Sequence, residues 1–151
     1  MNEMLANAAD ILNEEIGQNK IMALATRNGD GVAARTVNVY TYNGCFYFVT
    51  EENSNKYKQI TRNDNVALSV EAIQITGHAI PLKHPCDETN GEIVHHIEEK
   101  LPQQFARYAD KSIMRLIKII PAYAAFILLG SGDGFIINFT EDTAIPISHE
   151  M

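Results

Sequence analysis

The chain has 151 residues, with 12 Lys or Arg against 19 Asp or Glu, so its formal net charge is -7. This length fits one domain, residues 1–151, that buries a core without a disulfide framework. The acidic balance argues against nucleic-acid binding, which needs a basic surface, and no apolar run is long enough to span a membrane. Residues 1–10 hold two acids and no basic residue, unlike a secretion signal, so we expect a cytoplasmic protein.

The first half of the chain predicts a helix followed by an antiparallel meander. Apolar residues at helical spacing form one face: Leu5, Ala9, Leu12 and Ile16. Apolar and β-branched runs predict strands at 20–26, 32–40 and 45–50. Asn28–Gly31 and Asn43-Gly44 separate these strands and are typical of tight turns. A short helix is predicted at 54–62.

The second half predicts further short strands and two more helices. Strands are predicted at 66–71, 74–82, 113–120, 122–129 and 135–139. Helices are predicted at 91–101 and 103–109, and a loose polar tail from residue 140 onward. Because the strands are short and do not alternate regularly with helices, the fold class is mainly β with capping helices, an antiparallel barrel or sandwich.

The most informative segment joins a strand to a short helix around Ser54. The strand ends at Thr50, and Asn53 or Ser54 can cap the helix that follows. Helix N-termini offer free N–H groups and a partial positive charge, so they favour anions. The hydroxyls of Thr50 and Ser54, the ammonium of Lys56 and these amides predict a phosphate-binding site.

Arg35 is a second candidate for holding an anion. It lies mid-strand among small and apolar neighbours, and its guanidinium can grip a phosphate through two parallel hydrogen bonds. The residues alone leave alternatives open. Ser54 could simply cap a helix, Lys56 could be solvated, and Arg35 could pair with Glu51 or Glu71.

A series of short motifs resembles the pyridoxamine 5′-phosphate oxidase-like flavoproteins, and among them the small general-stress-type members. In order, the motifs are Ala23-Leu-Ala-Thr26, the hairpin Asn28–Gly31, Arg35-Thr36-Val37, Phe46-Tyr-Phe-Val-Thr50 and Ser54-Asn55-Lys56. The resemblance covers residues 3–82 well and 112–139 more loosely. It implies an FMN-binding split β-barrel, working as a homodimer with FMN in clefts at the subunit interface.

The resemblance also implies which residues bind FMN. Those expected around the phosphate are Arg35, Thr50, Ser54, Asn55 and Lys56. Those expected along the isoalloxazine ring or ribityl chain are Thr36, Val37, Asn38 and Val49, with the backbone of the first three offering hydrogen bonds to the ring. The segment 83–111 is expected to be a helical insertion between strands that covers the flavin or shapes a substrate pocket.

The implied activity is an FMN-dependent oxidoreductase acting on a small-molecule electron donor or acceptor. Because the cofactor carries the redox chemistry, no catalytic side chain is predicted. A true pyridoxamine phosphate oxidase is not expected, since no arginine follows Arg115. The alternatives are a non-catalytic flavin-binding sensor or storage protein, and a haem- or deazaflavin-binding relative.

Histidines and cysteines cluster in the insertion but do not predict a metal site. His95 and His96 are adjacent, and adjacent helical residues point about 100° apart. His84 and Cys86 supply at most half of the three or four ligands that a zinc site needs. Cys45 and Cys86 give no disulfide framework.

Overall fold

The computed structural model describes residues 2–148, which form eight strands and four α-helices. The elements up to the middle of the chain are α1 (Glu3–Ile16), β1 (Asn19–Asn28), β2 (Gly31–Tyr42), β3 (Cys45–Glu51), α2 (Asn55–Arg62), β4 (Asn65–Val70) and β5 (Ile73–Pro81). A 3-10 turn follows at Glu88–Asn90, and then come α3 (Glu92–Lys100), α4 (Pro102–Ala109), β6 (Met114–Ile127), β7 (Asp133–Asn138) and β8 (Thr143–Ser148).

All strands lie in one antiparallel sheet that closes on itself. The strand order is β3-β2-β1-β4-β5-β6-β7-β8, and β3 also pairs with β6. The first six strands of this order therefore form a closed barrel, and β7 and β8 extend it on one side. The predicted fold class, mainly β with capping helices, is confirmed.

Alternation along the strands fills the barrel. In β5, for example, Ile73, Ile75, Gly77 and Ala79 are buried, while the residues that alternate with them are exposed. Helix α1 contributes an apolar face to the same core, made by Leu5, Ala8, Leu12 and Ile16. Ala8 rather than Ala9 is the fully buried alanine of that face.

The prediction of two strands on either side of Pro121 was wrong, because β6 is continuous from Met114 to Ile127. Its pairing with β5 shifts between Thr76 and Gly77, and Gly77 lies opposite Pro121. Such an irregularity accommodates a proline, which cannot donate to a regular ladder. A Cβ on Gly77 would lie 2.3 Å from the carbonyl oxygen of Ile120, so the close approach of the two strands requires glycine.

The prediction of a loose tail from residue 140 was also wrong for its described part. Thr143–Ser148 forms β8 along β7, from the pair Asn138–Thr143 to the pair Asp133–Ser148. Because β8 is an edge strand, Pro146 is tolerated there. Residues 149–151 of the predicted tail lie outside the described residues.

The segment between β5 and β6 carries α3 and α4, where the insertion was expected. Both helices pack on the outside of the barrel and build a second small apolar cluster there. Its buried members are Tyr40, Tyr47, Ile93, Val94, Ile97 and Leu116. No helix among residues 2–148 is long and apolar enough to cross a membrane.

Candidate functional site

Strands β2 and β3 are paired over only a short stretch. Their ladder consists of Tyr40–Tyr47, Thr41–Phe46 and Tyr42–Cys45. Residues 31–39 of β2 continue to pair with β1, and residues 48–51 of β3 pair with β6. Residues 31–39 of β2 and 48–51 of β3 do not pair with each other, so these stretches leave a split between the two strands. Backbone groups along the split are free to bind a ligand.

At one end of the split, two hydroxyl groups meet at the start of α2. Ser54 is the N-cap, and its Oγ accepts from the Tyr57 amide at 3.2 Å. The buried Thr50, near the end of β3, places its Oγ1 2.9 Å from that same Oγ. The amides of Asn55 and Lys56 fall in the first turn, which has no intrahelical acceptor for them. The predicted capping role of Ser54 and a role in anion binding are thus compatible.

Arg35 lies beside this corner and is held by uncharged acceptors. Its Nη1 donates to Thr26 Oγ1 at 2.8 Å and to the Leu24 carbonyl at 3.3 Å. Its Nη2 donates to Gln59 Oε1 at 3.0 Å, and Gln59 belongs to α2. These contacts point the guanidinium toward the helix without neutralising its charge.

The alternative ion pairs of Arg35 are wrong. Within residues 2–148, the Glu51 carboxylate pairs with Lys111 at 3.9 Å, and that of Glu71 pairs with Lys20 at 3.8 Å. Neither glutamate reaches Arg35, so the part of the chain described by the structure supplies it with no ion pair.

Two cations therefore share the corner. Burial lowers the pKa of Lys56, the nearby Arg35 guanidinium lowers it further, and Glu51 acts in the opposite direction. Burial also lowers the pKa of Arg35. A bound oxyanion would relieve both effects, because it offsets the repulsion and replaces lost solvation.

The residues expected around the phosphate are brought together by the structure. Thr50, Ser54 and Lys56 come together where β3 leads into α2, and Arg35 lies close enough to lower the pKa of Lys56. Exposed Asn55 lies in the first turn of that helix. No observation tests whether they bind FMN, so their role stays a prediction.

The residues expected along the ring are placed differently. Strand alternation leaves Thr36 exposed and turns Val37 into the barrel core. Asn38 and Val49 line a narrow cavity of about 10 Å³ beneath α4, no larger than one water. Asn38 Nδ2 donates to Gln104 Oε1 of α4 at 2.8 Å. The split is thus covered by α4 at Asn38.

Three polar side chains at the site were not predicted: Thr26, Gln59 and Gln104. Gln59 follows Lys56 by three residues, so helical spacing could have placed it on the same face. Thr26 could have been found from the register of the predicted hairpin. The contact of Gln104 with Asn38 joins distant parts of the chain and leaves no local sequence signal.

Two of the insertion's histidines, His84 and His96, contact neighbouring groups of the protein. The ring of His96 packs against that of Tyr42 at 4.3 Å, and His96 Nδ1 lies 3.5 Å from the Tyr40 hydroxyl. His84 Nδ1 accepts from the Cys86 amide at 3.1 Å. Among residues 2–148, no three His, Cys, Asp or Glu side chains lie close enough to hold a metal ion.

An apolar groove lies on the surface of the barrel. Its volume is about 380 Å³, and small apolar residues such as Ala25, Ala67 and Ala122 contribute to its lining. Val32 at its edge is 69% exposed, and Ile21 on the adjacent strand β1 is 65% exposed. Exposed apolar side chains beside a groove are one feature of interaction surfaces.

Solved structures share this architecture. One is a putative pyridoxamine 5′-phosphate oxidase from Listeria innocua, with a TM-score of 0.61 and 21% identity over 78% of this chain and 96% of that chain. The chain has the pyridoxamine 5′-phosphate oxidase-like split-barrel fold. General Stress Protein 26 from Bacillus anthracis gives a TM-score of 0.56 and 19% identity over 83% of this chain and 92% of that chain.

The heme storage protein HutZ from Vibrio cholerae is also similar, with a TM-score of 0.62 and 11% identity over 76% of this chain and 89% of that chain. No family model matches the sequence, and no curated protein does so either. At these identities the likeness establishes the fold. The resemblance inferred from the motifs is confirmed at that level.

Proposed function

We propose that the protein binds FMN and acts as an FMN-dependent oxidoreductase on a small-molecule electron donor or acceptor. One observation carries the proposal. Arg35 and Lys56 lie close together beside the Thr50 and Ser54 hydroxyls, and the acceptors of Arg35 among residues 2–148 are all uncharged. A phosphate at the start of α2 would supply Arg35 with a negatively charged partner, which no carboxylate among residues 2–148 provides.

The donor set fits the phosphate end of FMN. Arg35, Ser54 and Lys56 would hold the phosphate, with support from Thr50 and Asn55. The free edge of β2 between Arg35 and Asn38 would offer backbone groups to the polar edge of the ring, because that stretch does not pair with β3. When bound, FMN supplies the hydride or electron transfer, and the chain supplies binding and orientation.

Helix α4 has a separate part in this proposal. It covers Asn38 and Val49, the two ring-side positions that line the narrow cavity. A cover over that end of the split would exclude water from the reacting part of a bound ligand. The face of α4 that carries Gln104 and Tyr108 would then help to determine which small molecules reach the ring.

We also propose that the working form is a homodimer with its flavin sites at the interface. The apolar groove and the exposed Ile21 and Val32 support this, because a second copy would bury them. Light scattering at increasing concentration would test it. A Val32→Glu change is expected to give monomers, and a monomeric parent protein would refute the proposal.

The central test is the visible absorption spectrum of the purified protein, before and after FMN is added and the excess removed. Flavin bands that remain with the protein are expected. Arg35→Ala and Lys56→Ala should each weaken FMN binding by about 1.5–3 kcal/mol, the range for hydrogen bonds to charged groups. Lys58→Ala is the matched control, since Lys58 is an exposed cation on the same helix.

If FMN affinity is unchanged in both alanine variants, the proposed site is wrong. A protein that retains no FMN would refute the flavoprotein proposal as a whole. A Soret-type band instead would favour haem binding, the alternative supported by the shared fold of the heme storage protein. Steady-state turnover with a reduced nicotinamide would separate an enzyme from a flavin store.

A further inference from the structure

A polar cavity lies at the end of α2 opposite to Ser54. It has a volume of about 240 Å³. Its lining comes from the turn between β1 and β2 and from the end of α2: Arg27, Asn28, Gly29, Gln59, Arg62 and Asn63. Every lining side chain is polar, apart from the glycine.

The side-chain oxygens of Gln59 and Asn63 are both engaged within the protein, so these two side chains can offer a ligand only their N–H groups. Gln59 Oε1 accepts from Arg35 Nη2 at 3.0 Å, and a guanidinium can only donate, so the oxygen of Gln59 is fixed in that contact. Asn63 Oδ1 accepts from the Asn65 backbone amide at 3.0 Å, which also can only donate. The amide nitrogens of Gln59 and Asn63 are therefore the ends that remain.

The two arginines add positive charge to these donors. Neither Arg27 nor Arg62 forms an ion pair within residues 2–148. The neighbouring carboxylate of Asp64 lies 3.5 Å from His78 Nδ1. Two guanidinium groups and two amide donors are the chemistry that a phosphate or carboxylate requires.

We propose that this cavity is a second oxyanion site, separate from the FMN phosphate site. Six residues along α2 separate Lys56 from Arg62, a rise of about 9 Å at about 1.5 Å per residue. Gln59 connects the two, because it bonds Arg35 at one site and lines the other. The anion is either the acidic end of a cofactor that extends beyond its phosphate or a free small anion. The placement relative to FMN rests on the proposed function; the cavity itself does not.

Arginine Nε–H resonances in NMR spectra of the whole protein provide the test. Inorganic pyrophosphate and, separately, citrate are titrated with and without saturating FMN. The Arg27 and Arg62 signals should shift saturably in both conditions. Arg62→Ala should weaken anion binding by about 10-fold or more, as expected for one charged hydrogen bond. Lys58→Ala should leave it unchanged.

The absence of a saturable shift at Arg27 and Arg62 would overturn the inference, as would an equal loss in Lys58→Ala, which would indicate unspecific attraction. Competition by FMN would overturn the separation of the two sites. If FMN does not bind but the arginines respond, only the proposed function fails. If FMN binds and they do not respond, only this inference fails.

The source of the anion is assigned by a second comparison. A deazaflavin whose side chain continues beyond its phosphate into carboxylates is bound to the parent protein and to Arg62→Ala. If Arg62→Ala weakens this ligand but not FMN, the site holds the acidic end of a cofactor. If neither ligand is affected while pyrophosphate binding is lost, the site holds a free anion.

Discussion

Gln59→Ala should destabilise the protein through the hydrogen bonds that Gln59 accepts. Its Oε1 accepts from Thr26 Oγ1 at 2.6 Å and from Arg35 Nη2 at 3.0 Å. Thr26 is 1% exposed, so its hydroxyl cannot turn to water, and a buried unsatisfied donor costs about 1–3 kcal/mol. Arg35 is partly exposed, so the loss of its hydrogen bond to Gln59 costs about 0.5–1.5 kcal/mol. The expected loss in free energy of unfolding is about 1.5–4.5 kcal/mol.

Urea denaturation followed by far-UV circular dichroism measures this loss. The control is Gln103→Ala, because Gln103 is an exposed glutamine on α4, and its effect should stay within about 0.5 kcal/mol. In a Thr26→Val background, the cost of Gln59→Ala should fall by about 1 kcal/mol or more, since the hydroxyl is no longer there to be orphaned. A loss below about 0.5 kcal/mol in the parent background would refute the reasoning.

Three further outcomes follow from the charges and the packing. FMN affinity should fall as pH rises through the lowered pKa of Lys56, because FMN binding in that range requires proton uptake. Lys56→Arg should remove this pH dependence. Calorimetry in two buffers of different ionisation enthalpy measures the proton uptake. Over the window between that lowered pKa and about 10.4, the unfolded chain binds more protons, so the Lys56 contribution to the free energy of unfolding should rise with pH. Gly77→Ala should lower the free energy of unfolding by about 1–3 kcal/mol or more, because its Cβ would lie 2.3 Å from the Ile120 carbonyl oxygen. Gly130→Ala is the control and should change it little in the same urea titration, because no atom lies within 4 Å of the added Cβ.

Local patterns were sufficient to predict most elements. Turn residues at Asn28–Gly31 and Asn43-Gly44, with the apolar and β-branched runs between them, predicted the meander, and the capping residue predicted where α2 begins. The two errors share one cause. Pro121 ends a strand by local rules, but Gly77 on the neighbouring strand makes room for it. Likewise β8 is defined by its pairing with β7, a tertiary contact that the tail's own residues do not indicate.

The candidate site divides along the same line. Thr50, Ser54 and Lys56 are near one another in sequence, so a strand-to-helix pattern places them together. Arg35 could be nominated from its neighbours, but its actual partners Thr26 and Gln59 depend on how β1 and α2 pack. The cover that α4 makes over Asn38 depends on tertiary packing between segments more than sixty residues apart, which no local pattern encodes.

Backbone hydrogen bonds join the two ends of the connection between β5 and β6. The Leu82 amide donates to the Leu116 carbonyl at 2.7 Å, and the Leu116 amide donates to the Lys83 carbonyl at 3.0 Å. The barrel pairing therefore ends before α3 and α4 begin, and halving such a loop changes its closure free energy by only about 0.6 kcal/mol. None of Arg35, Thr50, Ser54 or Lys56 lies in it. A change of length within this loop therefore leaves the strand pairing of the barrel and the corner at Ser54 in place. Under the proposed function, it would alter access to the flavin ring without removing the residues expected to hold the phosphate.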